Sequence, residues 1–499
     1  MLSIRKVVTA SKAIAIQVVE YQGHKSKVHK HFGSARSDDG VAALIQAARN
    51  WIEEQSLQIT LFSPPAKKML DVEQGECISV THLFARQFLF SCLQECGLGD
   101  MDNLLKDLVI MRLLEPASKL RTIELLGRYF NVTYSQRFYR KIPGFLTHKT
   151  FIEQTAFHIA NTGLREQFYF VLYDVTTLYF ETFHSDDLRI PGFSKDNKPQ
   201  QPQIVVGLLV TQSGFPLVYE VFSGNTFEGK TMLPILEQFM DNHPGAKPII
   251  VADAAMLSEE RLDELKQKGF FYIVGARLAN SGAEVIQQVH AAVAGRHGLN
   301  ARIHSAYGYL VCDFSSKRYS KELYDLNRHI AKAEKLVAEQ SVGKRALFIK
   351  TLSKEKIALN EPLIQKRKLL LGIKGYCTNI SPNELSNEKI IEYYHDLWRV
   401  EQSFRMSKTD LQARPVFHRK EDAIKSHILI CFVALIIEKY LELKTNLSLR
   451  QIKDLIWNIT ETHIQDRGTK EIYPFRSPTK EILKSPLAPL IKKWKILPH

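Results

Sequence analysis

Apolar positions along this chain switch between a period of two and a period near 3.6, and the order of the switches lays out the architecture. Over residues 1–35 apolar and polar residues alternate, as in AIAIQVVEY and SKVHKHFG, which predicts a hairpin turning near Gly23. Residues 38–56 take a helical period. From Cys77 to about Gly163 helical spacing dominates: THLFARQFLFSCLQECG ends at Gly97, DNLLKDLVIMRLLEP stops at Pro116, and a third helix starts at Ser118. Then comes QFYFVLYDVTTLYFE, a run of aromatic and β-branched residues that reads as a buried strand, broken in its middle by Asp174. Two more strands follow around a turn at Ser213-Gly214, then a helix over 230–242, the strand KPIIVAD ending at Asp253, a helix over 258–268 and the strand FYIVGAR. Strands alternating with helices in this way predict an α/β fold.

Residues 279–370 have another texture. Their long charged segment RYSKELYDLNRHIAKAEKLVAEQ does not fit the same sheet and is read as part of an insertion. The strand KLLLGIKGYCTNI resumes the α/β pattern, and one helix is expected through SNEKIIEYYHDLWRVEQSFRMSKTDL. On it Tyr394, Glu401 and Lys408 recur every seven residues and so share a stripe, while Trp398 is expected in the core. DAIKSHILICFVALIIEKYLEL, the most apolar helix, is expected to pack under the sheet with His427 in its interior. Its internal charges argue against a membrane span.

Composition narrows the partners. Lys and Arg outnumber Asp and Glu by 67 to 53, a net charge of +14 that favours a polyanion. No cleavable leader or membrane span is expected at the N-terminus, so the expectation is a soluble, intracellular protein. The six cysteines form no CxxC pair, which signals neither a zinc knuckle nor a disulfide framework.

An ionised aspartate in an apolar strand needs a partner. A cation would serve Asp174, and so would hydrogen bonds from Thr176 and Thr177. Asp253 sits at the carboxyl end of a strand, where α/β sheets place their sites. Three carboxylates, Asp174, Asp253 and Glu401, would repel one another at a sheet end unless divalent cations bound there. Mg²⁺ prefers such oxygen donors, Mn²⁺ accepts the same set, and two ions about 4 Å apart suit in-line phosphodiester chemistry. With the positive surface, the expected substrate is DNA.

These residues resemble those of bacterial insertion-sequence transposases of the DDE type, in the branch with a Y-x2-R-x3-E-x6-K signature. YDVTTLYFE with GFSKD and PQIVVGLLV is similar to the family's first motif, VADAAMLS to its second, and YYHDLWRVEQSFRMSK with ARPVFH and SHILICF to its third. The likeness runs from about Leu105 to Leu443 and takes in FSSKRYSKELYDLNRHIAKAE and Thr378-Asn379. It implies an RNase H-like mixed-sheet catalytic core interrupted by an insertion and preceded by a mainly helical region with a small β hairpin. The implied divisions are 1–76, hairpin and helix; 77–165, a helical DNA-binding region; 166–278 and 371–443, the two parts of the core; 279–370, the insertion; and 444–499, a basic tail.

The resemblance further implies Asp174, Asp253 and Glu401 as metal-binding catalytic residues with two Mg²⁺ ions, and cleavage at the element's ends followed by transfer of the 3′-hydroxyl to target DNA. Tyr394 and Lys408 are the implied contacts to the bound end, with Arg399, Arg405, Lys195, Arg137, Arg140 and Lys141 as further DNA contacts. The expected partners are terminal inverted repeats, target DNA and a second copy of the chain on DNA, with no nucleotide cofactor, in the bacterial cytoplasm at the nucleoid. The signature's arginine belongs at position 397, where this chain has Leu397. Alternatives are a catalytically silent DNA-binding protein of the same shape and an RNase H-like nuclease.

Overall fold

In the computed structural model, the described residues are 2–22, 25–57, 75–166, 170–193, 198, 200–243, 248–254, 258–305, 308–339, 346–352 and 356–496. The chain divides into two compact units, Met1–Glu76 with Gln465–Tyr473, and Cys77–Ile464 with Pro474–His499.

In the first unit, β1 (Leu2–Val8), β2 (Ile14–Gln22) and β3 (Lys25–Ala35) form an antiparallel sheet in that order, and α1 (Asp38–Leu57) follows. The predicted hairpin is therefore the second half of a three-stranded sheet, and the expected turn at Gly23 lies outside the described residues. Ile16 and Val18 of β2 bury against Val41 and Ala48 of α1, the alternation of one element meeting the helical stripe of the other.

The strand β4 (Gly75–Thr81) spans the division at Glu76, and the second unit continues with the helices α2 (Leu83–Glu95), α3 (Asn103–Leu114), α4 (Lys119–Phe130) and α5 (Lys149–His158). Asp102 caps α3 by accepting from the Leu104 amide, and Ser118 caps α4 by accepting from the Arg121 amide. All but the first residue of α3 is buried, the charged Lys106, Asp107 and Arg112 included.

Next come β5 (Phe170–Tyr179), β6 (Gln203–Val210), β7 (Pro216–Ser223), α6 (Met232–Asn242), β8 (Ile249–Ala252), α7 (Glu259–Gln267) and β9 (Tyr272–Ala276). β5, β6 and β7 pair antiparallel, β8 lies parallel to β5 and β9 parallel to β8, in the order β7-β6-β5-β8-β9. That arrangement is RNase H-like.

The intervening region adds α8 (Ala283–Val293), β10 (Asn300–Ser305), β11 (Gly308–Phe314), α9 (Ser316–Ala338), the short pair β12 (Ile349–Thr351) and β13 (Ile357–Leu359), and α10 (Glu361–Leu369). Its charged segment is the helix α9, outside the sheet as expected. Yet β10 and β11 extend the sheet through β14 (Ile373–Thr378), so eight strands run β10-β11-β14-β9-β8-β5-β6-β7. The β10–β11 hairpin thus lengthens the sheet, because the edge of β14 offers unpaired backbone groups to it.

The expected single helix is two, α11 (Asn387–His395) and α12 (Trp398–Thr409). Asp396 stands at the break and accepts from Gln212 Nε2 at 3.1 Å and Arg399 Nε at 3.3 Å. α13 (Glu421–Thr445) is the buried apolar helix, with His427 inside it as predicted. Among the described residues no helix is long and apolar enough to cross a membrane.

Candidate active site

Asp174 and Asp253 are neighbours by register. Parallel pairing matches Tyr173 with Ala252, so the two aspartates stand one step further along adjacent strands, which lie about 4.8 Å apart. β5 continues past Asp174 to pair with β6, whereas Asp253 already leaves β8. Tyr173 points to the α6 side, its hydroxyl donating to Thr231 Oγ1 at 2.8 Å. Alternation then turns Asp174 to the opposite face with Thr176 and Leu178. Thr176 and Leu178 line a narrow cavity with Phe404, Ser407 and Lys408 of α12, so the helix bearing Glu401 covers the face that bears Asp174. Ser403 Oγ anchors that helix by donating to the Gly214 carbonyl at 2.9 Å, in the turn between β6 and β7.

Asp253 is held from two sides. Its Oδ1 accepts from the Ala254 amide at 2.7 Å and from the Tyr394 hydroxyl at 3.1 Å. Burial, then the Asp253 charge and hydrogen bond, then the Glu401 charge push the Tyr394 hydroxyl well above its ordinary range, so it stays protonated and donates. Gly275 makes room for this contact: a Cβ there would stand 2.5 Å from Tyr394 Oη. Glu401 itself is exposed in the first turn of α12.

A cation that sequence reasoning missed completes the group. Lys374 of β14 places Nζ 4.5 Å from the centre of the Tyr394 ring and 5.8 Å from that of Tyr376. Burial, followed by the Arg318 charge, lowers its pKa, and Asp313, Asp253 and Glu401 oppose that shift. Behind it, Tyr376 Oη donates to Asp313 Oδ1 at 2.8 Å, Arg318 Nη1 lies 3.6 Å from Asp313 Oδ2, and His395 Nε2 lies 3.3 Å from Tyr376 Oη. The available signal was the one that drew attention to Asp174: GIKGYCTNI carries a single charge inside an apolar strand.

Among the described residues no three Asp, Glu, His or Cys side chains converge tightly enough to enclose a metal ion. Asp174, Asp253 and Glu401 are carboxylates, the donor chemistry that Mg²⁺ and Mn²⁺ take and softer metals do not favour.

The other predicted residues are dispersed. Leu397 is 7% exposed, packed in the core where a charged residue would find no water. Arg399 pairs with Asp396 and lies 5.0 Å over the Trp398 ring, and Arg405 is exposed. Trp398 is 52% exposed instead of packed in the core, because the break before α12 turns it outward. Lys408 is half-buried on α12. The expected common stripe thus spans two helices, with Tyr394 on α11 and Glu401 and Lys408 on α12. Arg137, Arg140 and Lys141 are exposed around a 3₁₀ turn, with Phe138 buried between them. Lys195 lies outside the described residues.

Residues 168–437 match the family model described as transposase DDE domain. No curated protein matches the chain. Among solved structures, it is similar to the cryo-EM structure of the piggyBac transposase synaptic complex with hairpin DNA, at 12% identity and a TM-score of 0.38, covering 84% of this chain and 86% of that one.

Proposed function

The chain belongs to the family that carries the transposase DDE domain, and we propose that it is a DNA transposase that binds insertion-sequence ends, hydrolyses a phosphodiester there and joins the freed 3′-hydroxyl to target DNA. The observation that carries this reading is the register that sets Asp174 beside Asp253, on a face covered by the helix of Glu401.

In this proposal Asp174, Asp253 and Glu401 hold divalent cations, Mg²⁺ or Mn²⁺. Bound there, such ions would activate the attacking oxygen and offset charge on the leaving one. Tyr394 keeps one oxygen of Asp253 engaged so that the other faces the site. Lys374 moderates the negative field of Asp253 and Glu401 from the β14 side. Lys408, Arg399, Arg405, Arg137, Arg140 and Lys141 would meet the DNA backbone, whose charge the net +14 favours. Joining two ends calls for two copies of the chain on DNA.

Strand cleavage of a labelled DNA carrying the element's own end, with Mg²⁺ or EDTA, tests the proposal on wild type and Glu401→Gln. Metal-dependent cutting at the end, lost in the variant while DNA binding persists, is expected. A variant that cuts as well as wild type removes Glu401 from the site.

A further inference from the structure

A cavity of about 410 Å³ opens between the start of α4, the N-terminal part of α13 and the loop after α12, and it shares no residue with the carboxylate site. Arg112, Lys119, Arg121, Gln412, His418 and His427 line it. Arg112, Lys119 and His427 are each more than nine-tenths buried. Among the described lining residues there is no carboxylate.

Among the described residues, hydrogen bonding leaves the positive charge unmatched. There Arg112 donates only to backbone carbonyls, those of Ala117 at 3.2 Å, Gln412 at 3.4 Å and Leu411 at 3.5 Å. His427 Nε2 lies 3.0 Å from the Ala413 carbonyl, which only accepts, so Nε2 carries the hydrogen. Nδ1 of the same ring is then the acceptor for Lys119 Nζ at 3.2 Å, and His427 is neutral. Arg121, on the rim, pairs outward with Glu124 at 2.9 Å. Burial, then the Arg112 charge, pushes Lys119 down to about 7, and burial with the same two cations pushes His418 down to about 4. A buried ammonium and guanidinium facing an open cavity without an anion is a costly arrangement for a purely structural core. Lys119 is also the first residue of α4, so the helix adds the positive end of its dipole.

We propose that this cavity is a phosphate site, in which a phosphate group lies against Lys119 and Arg112. The favoured source is a DNA phosphodiester, an identification that rests on the proposed function. Tyr139 and Phe417 line the same cavity while 47% and 69% exposed, as groups that stack on a sugar or base would be. Arg137, Arg140 and Lys141 flank Tyr139 on the surface. A free phosphate ester has the same chemistry and is the other source.

Calorimetric titration of the full chain with inorganic phosphate, at about pH 6.5 so that Lys119 is charged, is the first arm. It is repeated on Lys119→Met, which keeps the length of the side chain, and on Gln412→Glu, an exposed change that supplies the cavity with its own anion. Saturable binding by wild type, weakened about tenfold or more in both variants, is expected. No binding, or equal binding by all three, overturns the proposal; Gln412→Glu decides alone if Lys119→Met does not fold. The second arm measures affinity for end-bearing DNA across salt concentrations. A slope of log K against log salt that falls by about one in Lys119→Met places a phosphodiester in the cavity. An unchanged slope beside a lost phosphate titration assigns the cavity to a free phosphate ester. Neither arm reads cleavage, so failure of the carboxylate chemistry and failure of this site are told apart.

Discussion

The hydroxyl of Tyr394 donates to Oδ1 of Asp253 across 3.1 Å, tying α11 to the carboxyl end of β8. Removing it in Tyr394→Phe frees the carboxylate to rotate. A charge-assisted hydrogen bond of this kind contributes about 1.5 kcal/mol, so end cleavage should slow about tenfold with DNA affinity nearly unchanged. Gly275→Ala should cause a similar loss, because the added Cβ displaces the same hydroxyl. Single-turnover cleavage beside a binding titration checks both, and an unaffected rate in both would show that Asp253 needs no such tether.

Lys374 contributes positive charge next to Asp253 and Glu401. On the proposed function, those carboxylates in Lys374→Met lose a competing cation and should attract Mg²⁺ more strongly. On the same proposal, the Mg²⁺ concentration for half-maximal cleavage should fall roughly fivefold, and the maximal rate should fall as well, since the field around those carboxylates becomes more repulsive to a DNA phosphate. A metal titration of cleavage separates the two effects, and an unchanged midpoint would place Lys374 outside the field of the site.

Leu397 occupies the signature's arginine position but is buried. Leu397→Arg should therefore destabilise the protein by about 3 kcal/mol or more, since the guanidinium would have no partner there. Denaturant unfolding measures this. A stable and more active variant would instead mean that position 397 reaches DNA.

Glu438 of α13 is 2% exposed, and burial, followed by the charges of Asp410 and Glu442, pushes its carboxyl from 4.5 to about 9. The folded pKa is the higher one, so the native state holds the proton more tightly. Its contribution is whole below the unfolded value and is lost as pH rises through the folded value. Glu438→Gln should thus unfold near the wild-type temperature at low pH and above it at alkaline pH, by an amount on the order of 1 kcal/mol or more. Thermal unfolding across pH checks the sign.

Periodicity alone was sufficient for the order of strands and helices from Asp174 to Asp253, for the buried helix around His427, and for two strand aspartates worth noticing, Asp174 and Asp253. The physical reason is local: a charged residue inside an apolar period costs free energy wherever that segment finally packs. Pairing is not local. Only the tertiary structure set Asp174 level with Asp253, because one residue of slip in a parallel ladder would turn the side chain to the other face. Only it joined β10 and β11 to the sheet, broke the helix at Asp396, and brought Gly275 and Lys374 to Tyr394. Lys119 and His427 meet from distant parts of the chain for the same reason: which side chains share a site is decided by packing, and packing is a property of the whole chain.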